Sequence, residues 1–424
     1  MHRHWAAAAR CPSRDLRGYA VHCLLCPPLQ KLTTLPTAAS AFAEIGAGVS
    51  LGPNASKAMQ LIDPRIYEGF QRCATNNEWP SKQNFWFSFR KGQDTTDTHG
   101  EHLLDLYCST GQKSVHRAHY LDELVKLVPA EVAHFGKRLE SMEDRGKDGV
   151  VLKFHDGSEA VHSAVIGCDG VKSRTRQIVL GKDHPAATAT FSGKYAYRGL
   201  IPMDDAANLM GDELARNAQM YFGHGGHILT FPIEKGKTMN VVAFSTKEDG
   251  KWDSDEWIKP MDKAAMFKDF EGWTEATQKI LTLMQKPDTW ALFDHPPAPT
   301  YVKGRICLLG DAAHASTPHC GAGASQAIED ALIMARVMAL VHDGSEIPRA
   351  FAAYEKLRKE RSQRLVKTSR DSGLLYDLQL PGIGDDWEKV KERIPLQQGW
   401  IWEHDLEADI MEAERVYREE TAQL

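Results

Sequence analysis

A short stretch around residue 310 holds the residue types that a nucleotide-like ligand requires. The apolar run 306–309 is typical of a buried strand, and Asp311 follows it, so that a carboxylate stands at the carboxyl end of the strand. Gly321 and Gly323 then form a loop whose backbone can approach a ligand closely, and a helix with one apolar stripe begins there. An ordinary connection between a strand and a helix would share these features. The order of strand, acid, glycine loop and helix N-terminus favours a site for a ribose- or ribityl-type hydroxyl beside an electron-rich ring edge.

Two other segments place charged side chains beside apolar runs. Residues 166–176 contain Asp169 directly after an apolar run and end in Arg176. Arg117 follows Ser-Val-His and heads a helical-looking segment, where by itself it would be read as an exposed charge at a helix start. Together with residues 310–323, these segments resemble three motifs of the FAD-dependent aromatic hydroxylases, which are the group A flavoprotein monooxygenases.

The resemblance implies a fold class, a cofactor and a set of site residues. In this family an α/β, Rossmann-like FAD-binding domain is interrupted by a mainly antiparallel β-sheet domain that binds the substrate, as in p-hydroxybenzoate hydroxylase, and helices follow at the C-terminus. FAD is the cofactor and NADH or NADPH is the co-substrate. The family's aspartate at the position of Asp311 binds the ribityl chain, and the start of the next helix faces the flavin pyrimidine. The residues that the resemblance places at the cofactor are Glu44, Gly48, Arg117, Asp169, Asp311, Gly321, Gly323 and Ala324.

Four further segments resemble the salicylate hydroxylase subgroup of this family. They are residues 44–55, 195–199, 226–232 and 402–406. Phe231 stands where related fungal hydroxylases carry a tyrosine that takes part in their chemistry. Its absence favours the salicylate-type subgroup over a tyrosine-assisted, dearomatising mechanism.

The first 37 residues depart from the family pattern. The family begins with a strand, a Gly-x-Gly-x-x-Gly turn that holds the FAD pyrophosphate, and a second strand that ends in an acid for the ribose. Residues 1–37 contain one glycine, Gly18, and prolines that interrupt any long helix or central strand. The sequence therefore predicts an atypical, poorly ordered leader in place of the phosphate-binding unit.

Three explanations of this leader stay open. We favour an altered upstream exon or reading frame that joins near Ala38. The arginine- and alanine-rich composition also resembles a mitochondrial targeting segment, although such a segment would add to the nucleotide-binding unit and would not replace it. The third explanation is a variant that holds FAD in another way. Cys23 and Cys26 are not accompanied by a second Cys/His pair at zinc spacing.

The composition is typical of a globular protein with several domains. The chain has 424 residues, 42% of them hydrophobic, and a net charge of −6, so that two or three domains with large cores are expected and a nucleic-acid partner is not. No apolar run reaches the roughly 18 residues of a membrane span. Eight scattered cysteines predict a reducing compartment, hence the cytoplasm, or the mitochondrion if the leader is a targeting segment. We expect a monomer or a homodimer.

The order of predicted elements divides the chain into five segments. These are the leader 1–37, a first FAD-binding part 38–183, a substrate-binding sheet 184–297, a second FAD-binding part 298–345 and a helical segment 346–424. Alternating and β-branched runs predict strands over 191–201, 219–222, 227–232 and 238–245. Trp273 and Trp290 are expected in the helical or loop cover of that sheet.

The substrate site must make an aromatic ring electron-rich, because the oxygen donor in this family is a weak electrophile. Ionising a phenol does so, and the phenol of ordinary pKa near 10 then needs a positive or hydrogen-bonding surrounding. Arg198 is the candidate partner of a carboxylate or phenolate, and His227 is the candidate acceptor or relay of the phenolic proton. Two other readings remain: Arg198 locks Tyr197 or a neighbouring strand, and His227 is a packed turn residue. His314 and His319 face the ring or brace the backbone, and no cluster predicts a metal site.

The predicted function is that of an FAD-dependent monooxygenase using NADH or NADPH and O₂ on a small phenolic acid such as salicylate, with loss of carbon dioxide to give a catechol. The same chemistry on a polyketide-derived phenolic acid is the nearest alternative. A second alternative is an inactive, flavin-free product, because each lost hydrogen bond to a charged phosphate costs about 1.5–3 kcal/mol of affinity.

Overall fold

A large eight-stranded sheet lies at the centre of the computed structural model, which describes residues 35–39 and 48–419. All neighbouring strands in it are antiparallel except β13 and β4, which run parallel, so the predicted mainly antiparallel sheet is confirmed. In spatial order the strands are β16 (Ile258–Pro260), β17 (Gln285–Asp294), β12 (Thr190–Pro202), β15 (Thr238–Thr246), β14 (Gly226–Ile233), β13 (Gln219–Gly223), β4 (Phe85–Lys91) and β5 (His102–Tyr107). The four strands predicted between residues 191 and 245 all lie in this sheet.

Two features of the large sheet differ from the prediction. Strands β4 and β5 come from the segment 38–183, which was assigned to FAD binding, yet they extend the sheet at the β13 edge. Trp290 was expected in helical or loop cover but lies within β17, opposite Ala196 of β12. An aromatic side chain suits the pleated surface of a strand, and this preference was overlooked. Trp273 lies outside the strands, directly before a helix, as expected.

Both faces of the large sheet are covered. One face carries Tyr197, Ile228 and Val241 and packs against four helices: α5 (Met203–Met210), α6 (Asp212–Ala215), α7 (Lys263–Asp269) and α8 (Glu275–Leu283). The other face carries Phe222 and Phe231 and packs against the C-terminal helices. Burial on both faces explains why β14 is apolar nearly throughout instead of alternating.

Four small sheets surround the large one. Among the described residues, β1 (Leu35–Pro36) pairs in parallel with β7 (Ala133–His134), and β6 (Lys113–His116) lies between β2 (Gly48–Ser50) and β3 (Thr75–Asn76). The order β10 (Glu159–His162), β9 (Val150–Phe154), β8 (Leu139–Asp144) forms the third. The fourth has β11 (Val165–Gly167) parallel to β19 (Ile306–Leu308), with β18 (Val302–Lys303) at its edge.

The remaining helices pack against the small sheets, against one another and, near the C-terminus, against the large sheet. They are α1 (Pro53–Ile62), α2 (Pro64–Cys73), α3 (Arg117–Val125), α4 (Arg174–Leu180), α9 (Asp311–His314), α10 (Gly323–Met338), α11 (Ile347–Tyr376), α12 (Trp387–Trp402) and α13 (Leu406–Glu419). The last three occupy the segment that was predicted to be helical. Together with the parallel pair β11–β19 they give the α/β fold that the sequence predicted. No helix in the described ranges has the length and apolar character that crossing a membrane requires.

A buried ion network holds α10 against α11. The guanidinium of Arg358 donates to Glu329 Oε2 at 2.7 Å and to Asp330 Oδ1 at 2.8 Å, and all three side chains are fully buried. Arg361 donates to both oxygens of Glu329, at 2.8 and 2.9 Å, and Asn54 of α1 donates to Glu329 at 2.6 Å. Burial acts to raise the pKa of Glu329, but the two arginines outweigh it and lower that pKa. The network therefore joins α1, α10 and α11 through ionised groups.

Removing one partner of this network should destabilise the fold strongly. Arg358→Met leaves two buried carboxylates without their main counter-ion, and breaking a buried pair in this way costs about 3–5 kcal/mol. We expect a clear fall in the midpoint of thermal unfolding. The control is Arg415→Met, which removes an exposed arginine paired with Glu412. Equal midpoints for the two variants would contradict the role given to the network.

Candidate functional site

Asp311 occupies the predicted place at the end of a buried strand. It is the first residue of α9, directly after β19, and it is half-buried. The turn before it requires glycine, because Gly310 has a φ of 61° and a ψ of −140°. The N–H of Gly310 donates to Asp330 Oδ2 at 2.9 Å, and His314 Nε2 lies 2.5 Å from the same oxygen. His314 therefore braces this bend against α10 and does not face a ligand through Nε2.

The N-terminus of α10 fits a ligand oxygen. Ala322 stands at the N-cap and no side chain caps the helix, so the first-turn N–H groups lack a side-chain acceptor among the described residues. Gly321 has a left-handed φ of 60°. A Cβ at Gly323 would lie 3.2 Å from Ser316 Oγ, so the backbone here runs close to its neighbours. This geometry suits the roles predicted for Gly321, Gly323 and Ala324 toward the flavin pyrimidine.

The structure gives Asp169 an internal task. Its Oδ1 accepts from Ser173 Oγ at 2.5 Å, and its Oδ2 accepts from the N–H of Thr175 at 2.8 Å and the hydroxyl of Thr175 at 3.0 Å. Both oxygens thus hold the start of α4. A direct bond from Asp169 to the cofactor stays a prediction.

Arg176 ties the two predicted flavin motifs together. This fully buried guanidinium donates to the carbonyls of Ala186 at 2.6 Å, Pro296 at 2.8 Å and Ala313 at 2.5 Å. Burial lowers its pKa to about 10. The contact to Ala313 of α9 fixes the position of the Asp311 turn relative to α4.

Three other predicted cofactor residues have different outcomes. Arg117 is half-buried and begins α3, as the sequence indicated. The N–H of Gly48 donates to Asn240 Oδ1 of β15 at 3.1 Å, and a Cβ there would lie 2.6 Å from the Phe231 ring, so only glycine fits. Glu44 lies outside the described residues, as does nearly all of the leader. For Arg117 and Gly48, contact with the cofactor remains a prediction.

His227 lies in a buried polar chain that joins the large sheet to α11. It is fully buried in β14, and its Nδ1 is 2.6 Å from Oδ1 of Asp377, which follows α11. The ring stacks on Phe244 of β15 at a centroid distance of 4.3 Å. His227 is therefore a strand residue just after the turn at 224–225, packed on Phe244 and facing Asp377, and both a packing role and a proton-accepting role stay open.

His319 reaches His227 from the loop between α9 and α10. Its Nδ1 lies 3.3 Å from His227 Nε2, and its Nε2 is buried without a hydrogen-bond partner among the described residues. The two rings have centroids 5.1 Å apart, and Phe244 lies 4.9 Å from His319. Because the glycine loop of the predicted flavin site contains His319, this contact joins that loop to the substrate sheet.

Both imidazoles are neutral at neutral pH. Burial lowers the pKa of His227 from its ordinary value of 6.5, although Asp377 opposes the shift. Burial lowers the pKa of His319 further, and the neighbouring His227 adds to the shift. Neutral rings can accept a proton, which a protonated ring cannot do.

The other oxygen of Asp377 is paired with a cation. Lys194 Nζ of β12 forms a buried ion pair with Asp377 Oδ2, and Thr246 Oγ1 donates to the same oxygen at 3.0 Å. Burial acts to raise the pKa of Asp377, but His227 and Lys194 outweigh it and lower the pKa to about 2. Asp377 is thus ionised throughout the physiological range.

Arg198 lies on β12, four residues after Lys194, so the two side chains lie on the same face of the strand. Its guanidinium carbon is 4.9 Å from the centre of the Trp290 ring, which is a cation–π contact. This contact supports a strand-locking role, whereas the position on the His227 side of the sheet suits a carboxylate partner. Both interpretations of Arg198 therefore stay open.

One group of side chains could hold a metal ion among the described residues. Ligand atoms of His116, His119 and Glu234 lie within 4.8 Å of one another, and Thr238 Oγ1 donates to Glu234 at 2.6 Å. No pattern in the sequence predicted this group, because Glu234 comes from a turn more than a hundred residues after His119. That the protein uses no metal remains a prediction.

Sequence reasoning missed Asp377, Lys194 and the acids of α10. Asp377 has no local motif, and only the fold brings it to His227. Lys194 carried a weak signal, a charged residue at an inward position of an apolar strand. Glu329 and Asp330 carried a stronger one, because acids within a helix that is buried on nearly all sides require counter-ions.

Known proteins are similar to this chain in sequence. Residues 74–369 match the family model described as an FAD binding domain. The chain is 43% identical over 391 residues to the 6-methylsalicylate 1-monooxygenase of Aspergillus terreus, covering 89% of this chain and 87% of the relative. It is 38% identical over 411 residues to a salicylate hydroxylase of Pseudomonas putida, covering 94% and 92%.

Solved structures agree with these relatives. A salicylate hydroxylase in a substrate complex superposes with a TM-score of 0.83 at 35% identity, covering 93% of this chain and 95% of that one. Klebsiella pneumoniae HpxO, complexed with FAD and uric acid, superposes with a TM-score of 0.73 at 22% identity, covering 93% and 95%. The second likeness concerns the fold alone.

The pH dependence of folding stability should show that His319 is neutral in the folded protein. Its folded pKa lies below 6.5, so below that pH the unfolded chain takes up a proton that the folded chain refuses, and folding stability falls by about 1.4 kcal/mol per pH unit for such a group. The unfolding free energy of the parent protein should therefore fall between pH 6.5 and 5. In His319→Gln we expect this fall to be smaller by about 1.4 kcal/mol per pH unit. The exposed His99 replaced by Gln is the control and should leave the slope unchanged. An unchanged slope in His319→Gln would show that this ring is protonated in the fold.

Proposed function

The chain belongs to the FAD-dependent aromatic hydroxylases of the salicylate hydroxylase type, and from this membership we propose that it uses NADH or NADPH and O₂ to hydroxylate a small phenolic acid such as salicylate. The contact between His227 of the large sheet and His319 of the glycine loop carries this proposal. It places a buried proton acceptor between the element that would hold the flavin and the sheet that would hold the aromatic ring.

The residues present fit FAD at the end of β19. Asp311 would bind the ribityl chain and the first turn of α10 would bind the pyrimidine edge, with Arg117 and Gly48 beside the ring system. FAD, when bound and reduced by NAD(P)H, supplies the activated oxygen. The protein supplies the position of the substrate, the exclusion of water and the acceptance of a proton.

The two histidines would ionise the phenol. His319 Nε2 has an unused lone pair and lies beside Gly373 of α11, so a phenolic O–H that reaches it there would donate to a neutral acceptor. His227 hydrogen-bonds to the other nitrogen of His319 and relays charge toward Asp377. Arg198 is our candidate partner for the substrate carboxylate. Loss of the phenolic proton makes the ring electron-rich at the carbon that bears the carboxylate.

Attack at that carbon would release the carboxyl group. One oxygen atom of O₂ then enters the ring, the other leaves as water with the two electrons of NAD(P)H, and the carboxylate leaves as carbon dioxide. The product is a catechol. The 43% identity to a 6-methylsalicylate 1-monooxygenase favours, as a second candidate substrate, a ring-substituted salicylate of the kind that fungal secondary metabolism produces.

Turnover with a substrate panel tests the reaction. We expect salicylate or 6-methylsalicylate to stimulate NADH or NADPH oxidation by the purified protein, with one catechol and one carbon dioxide formed per substrate, read by product mass. An orsellinate-type acid that is turned over faster than either would assign the enzyme to the alternative substrate class. Absence of stimulation by every phenolic acid in a flavin-containing preparation would contradict the proposal.

Flavin content must be measured first, because of the atypical leader. A yellow preparation with about one FAD per chain would exclude the flavin-free alternative. If the preparation is colourless, joining a glycine-loop leader upstream of Ala38 should restore flavin and activity. Failure of that chimera to bind FAD would show that the leader is not the cause.

Asp311→Asn tests the cofactor site directly. Each hydrogen bond to a charged group contributes about 1.5–3 kcal/mol, so we expect FAD to bind about 10- to 100-fold more weakly, measured as flavin fluorescence during titration of the apoprotein. The control is Asp212→Asn, an exposed carboxylate paired with Arg216. Unchanged affinity in Asp311→Asn would remove Asp311 from the cofactor site.

A further inference from the structure

We infer that Asp377 and Lys194 are positioning residues: a buried ion pair that fixes the proton on Nδ1 of His227 and thereby leaves Nε2 of His319 as the acceptor of the substrate's phenolic proton. This inference rests on the proposed function, since it explains how that site obtains its polarity. Neither residue belongs to the motifs that identify the family in the sequence.

The direction of every hydrogen bond in the chain follows from Asp377. An ionised carboxylate only accepts, so His227 Nδ1 donates across the 2.6 Å contact. In a neutral ring the other nitrogen then accepts, so His319 Nδ1 donates to His227 Nε2 across 3.3 Å. His319 Nε2 is left with a lone pair and no partner among the described residues. One fixed charge thus determines the state of a nitrogen two rings away.

Folding stability alone does not explain the ion pair between Lys194 and Asp377. Lys194 and Asp377 are nearly or fully buried, and a pair of apolar residues would fill the same space at no lower stability in many proteins. The backbone of Asp377 already joins the sheet, because its carbonyl accepts from the N–H of Gly225 at 3.0 Å. The charge on the side chain is therefore available for a task other than joining α11 to the sheet.

Asp377 is also linked to an exposed side chain. Thr246 Oγ1 donates to Asp377 Oδ2 at 3.0 Å and lies 3.4 Å from Oε1 of Gln379, which is exposed. The polar chain from His319 therefore continues beyond the carboxylate to the surface of the protein.

Two charged groups from two different elements face the histidine pair. His227 on β14 faces Asp377 after α11 and Lys194 on β12, and His319 faces these same two charges and the ring of His227. Tyr376 of α11 packs edge-on against His227 at 5.3 Å. Asp377 is thus the anion that favours protonation of the pair, and Lys194 is the cation that opposes it.

Asp377→Asn tests the inference with two readouts. The variant keeps the shape of the side chain but removes the charge that orients both rings. We expect kcat/KM at pH 7 to fall by about 100-fold or more, the usual contribution of a positioned base. We expect the deficit to shrink as pH rises from 7 to 9, because the small fraction of substrate that is already ionised in solvent rises about tenfold per pH unit below the phenolic pKa. A merely structural role would lower the rate equally at all pH values.

The second readout does not require turnover. A nitro-substituted salicylate, whose phenolate absorbs at longer wavelength than its phenol, is titrated into the flavin-containing protein at pH 7. We expect the bound ligand to show the phenolate band in the parent protein and the phenol band in Asp377→Asn. Equal phenolate bands in both, with an equal pH profile, would overturn the inference.

Two further variants keep the test decisive. Should Asp377→Asn fail to fold with Lys194 unpaired, the double variant Lys194→Gln/Asp377→Asn removes both charges together and should show the same loss of phenolate. The matched control, Asp249→Asn, removes the acid of an exposed lysine pair near the same end of the sheet and should leave both readouts unchanged. If no phenolic acid stimulates NAD(P)H oxidation by the parent protein, the proposed function is wrong. If the parent protein is active and Asp377→Asn matches it in both readouts, only this inference is wrong.

Discussion

The ionised side chains between α10 and α11 are the constraint on which the candidate site depends. Without Arg358 and Arg361, burying the carboxylates of Glu329 and Asp330 would cost much folding free energy. The two helices can therefore pack only in a register that forms all of these ion pairs. Asp330 also holds the N–H of Gly310 and the ring of His314. The turn that presents Asp311 is therefore fixed by charges that lie behind it, not by the ligand that would lie in front of it.

The same arrangement sets the second half of the site. The helix that carries Arg358 ends at Tyr376, and Asp377 follows it beside the large sheet. Any shift of α11 along its axis would move Asp377 relative to His227 and His319. A network near the middle of the helix and a hydrogen-bonded chain at its end thus depend on one element of 30 residues. This element joins the predicted cofactor side of the molecule to the predicted substrate side.

The sequence predicted those parts of the fold that are written in local patterns. Gly310 to Gly323, the strands around His227 and the C-terminal helices could be read from glycine positions, alternation and helical periodicity. Placement of β4 and β5 in the large sheet could not, because strand pairing across more than a hundred residues leaves no local signal. Asp377 is the clearest example at the site: it becomes a partner of His227 only when α11 crosses the sheet. Asp169 is a different case: a motif predicted a cofactor contact, which stays a prediction, and the structure adds hydrogen bonds to Ser173 and Thr175 that the motif did not indicate.

In the proposed complex, a phenolic acid lies between the glycine loop and the large sheet with its hydroxyl against His319. A crystal structure of the flavin-loaded protein with salicylate tests this placement most directly. We expect a phenolic oxygen within about 2.6–3.2 Å of His319 Nε2, with the ring packed near Phe244. A salicylate bound elsewhere, or one whose carboxylate and not its hydroxyl faces His319, would contradict it.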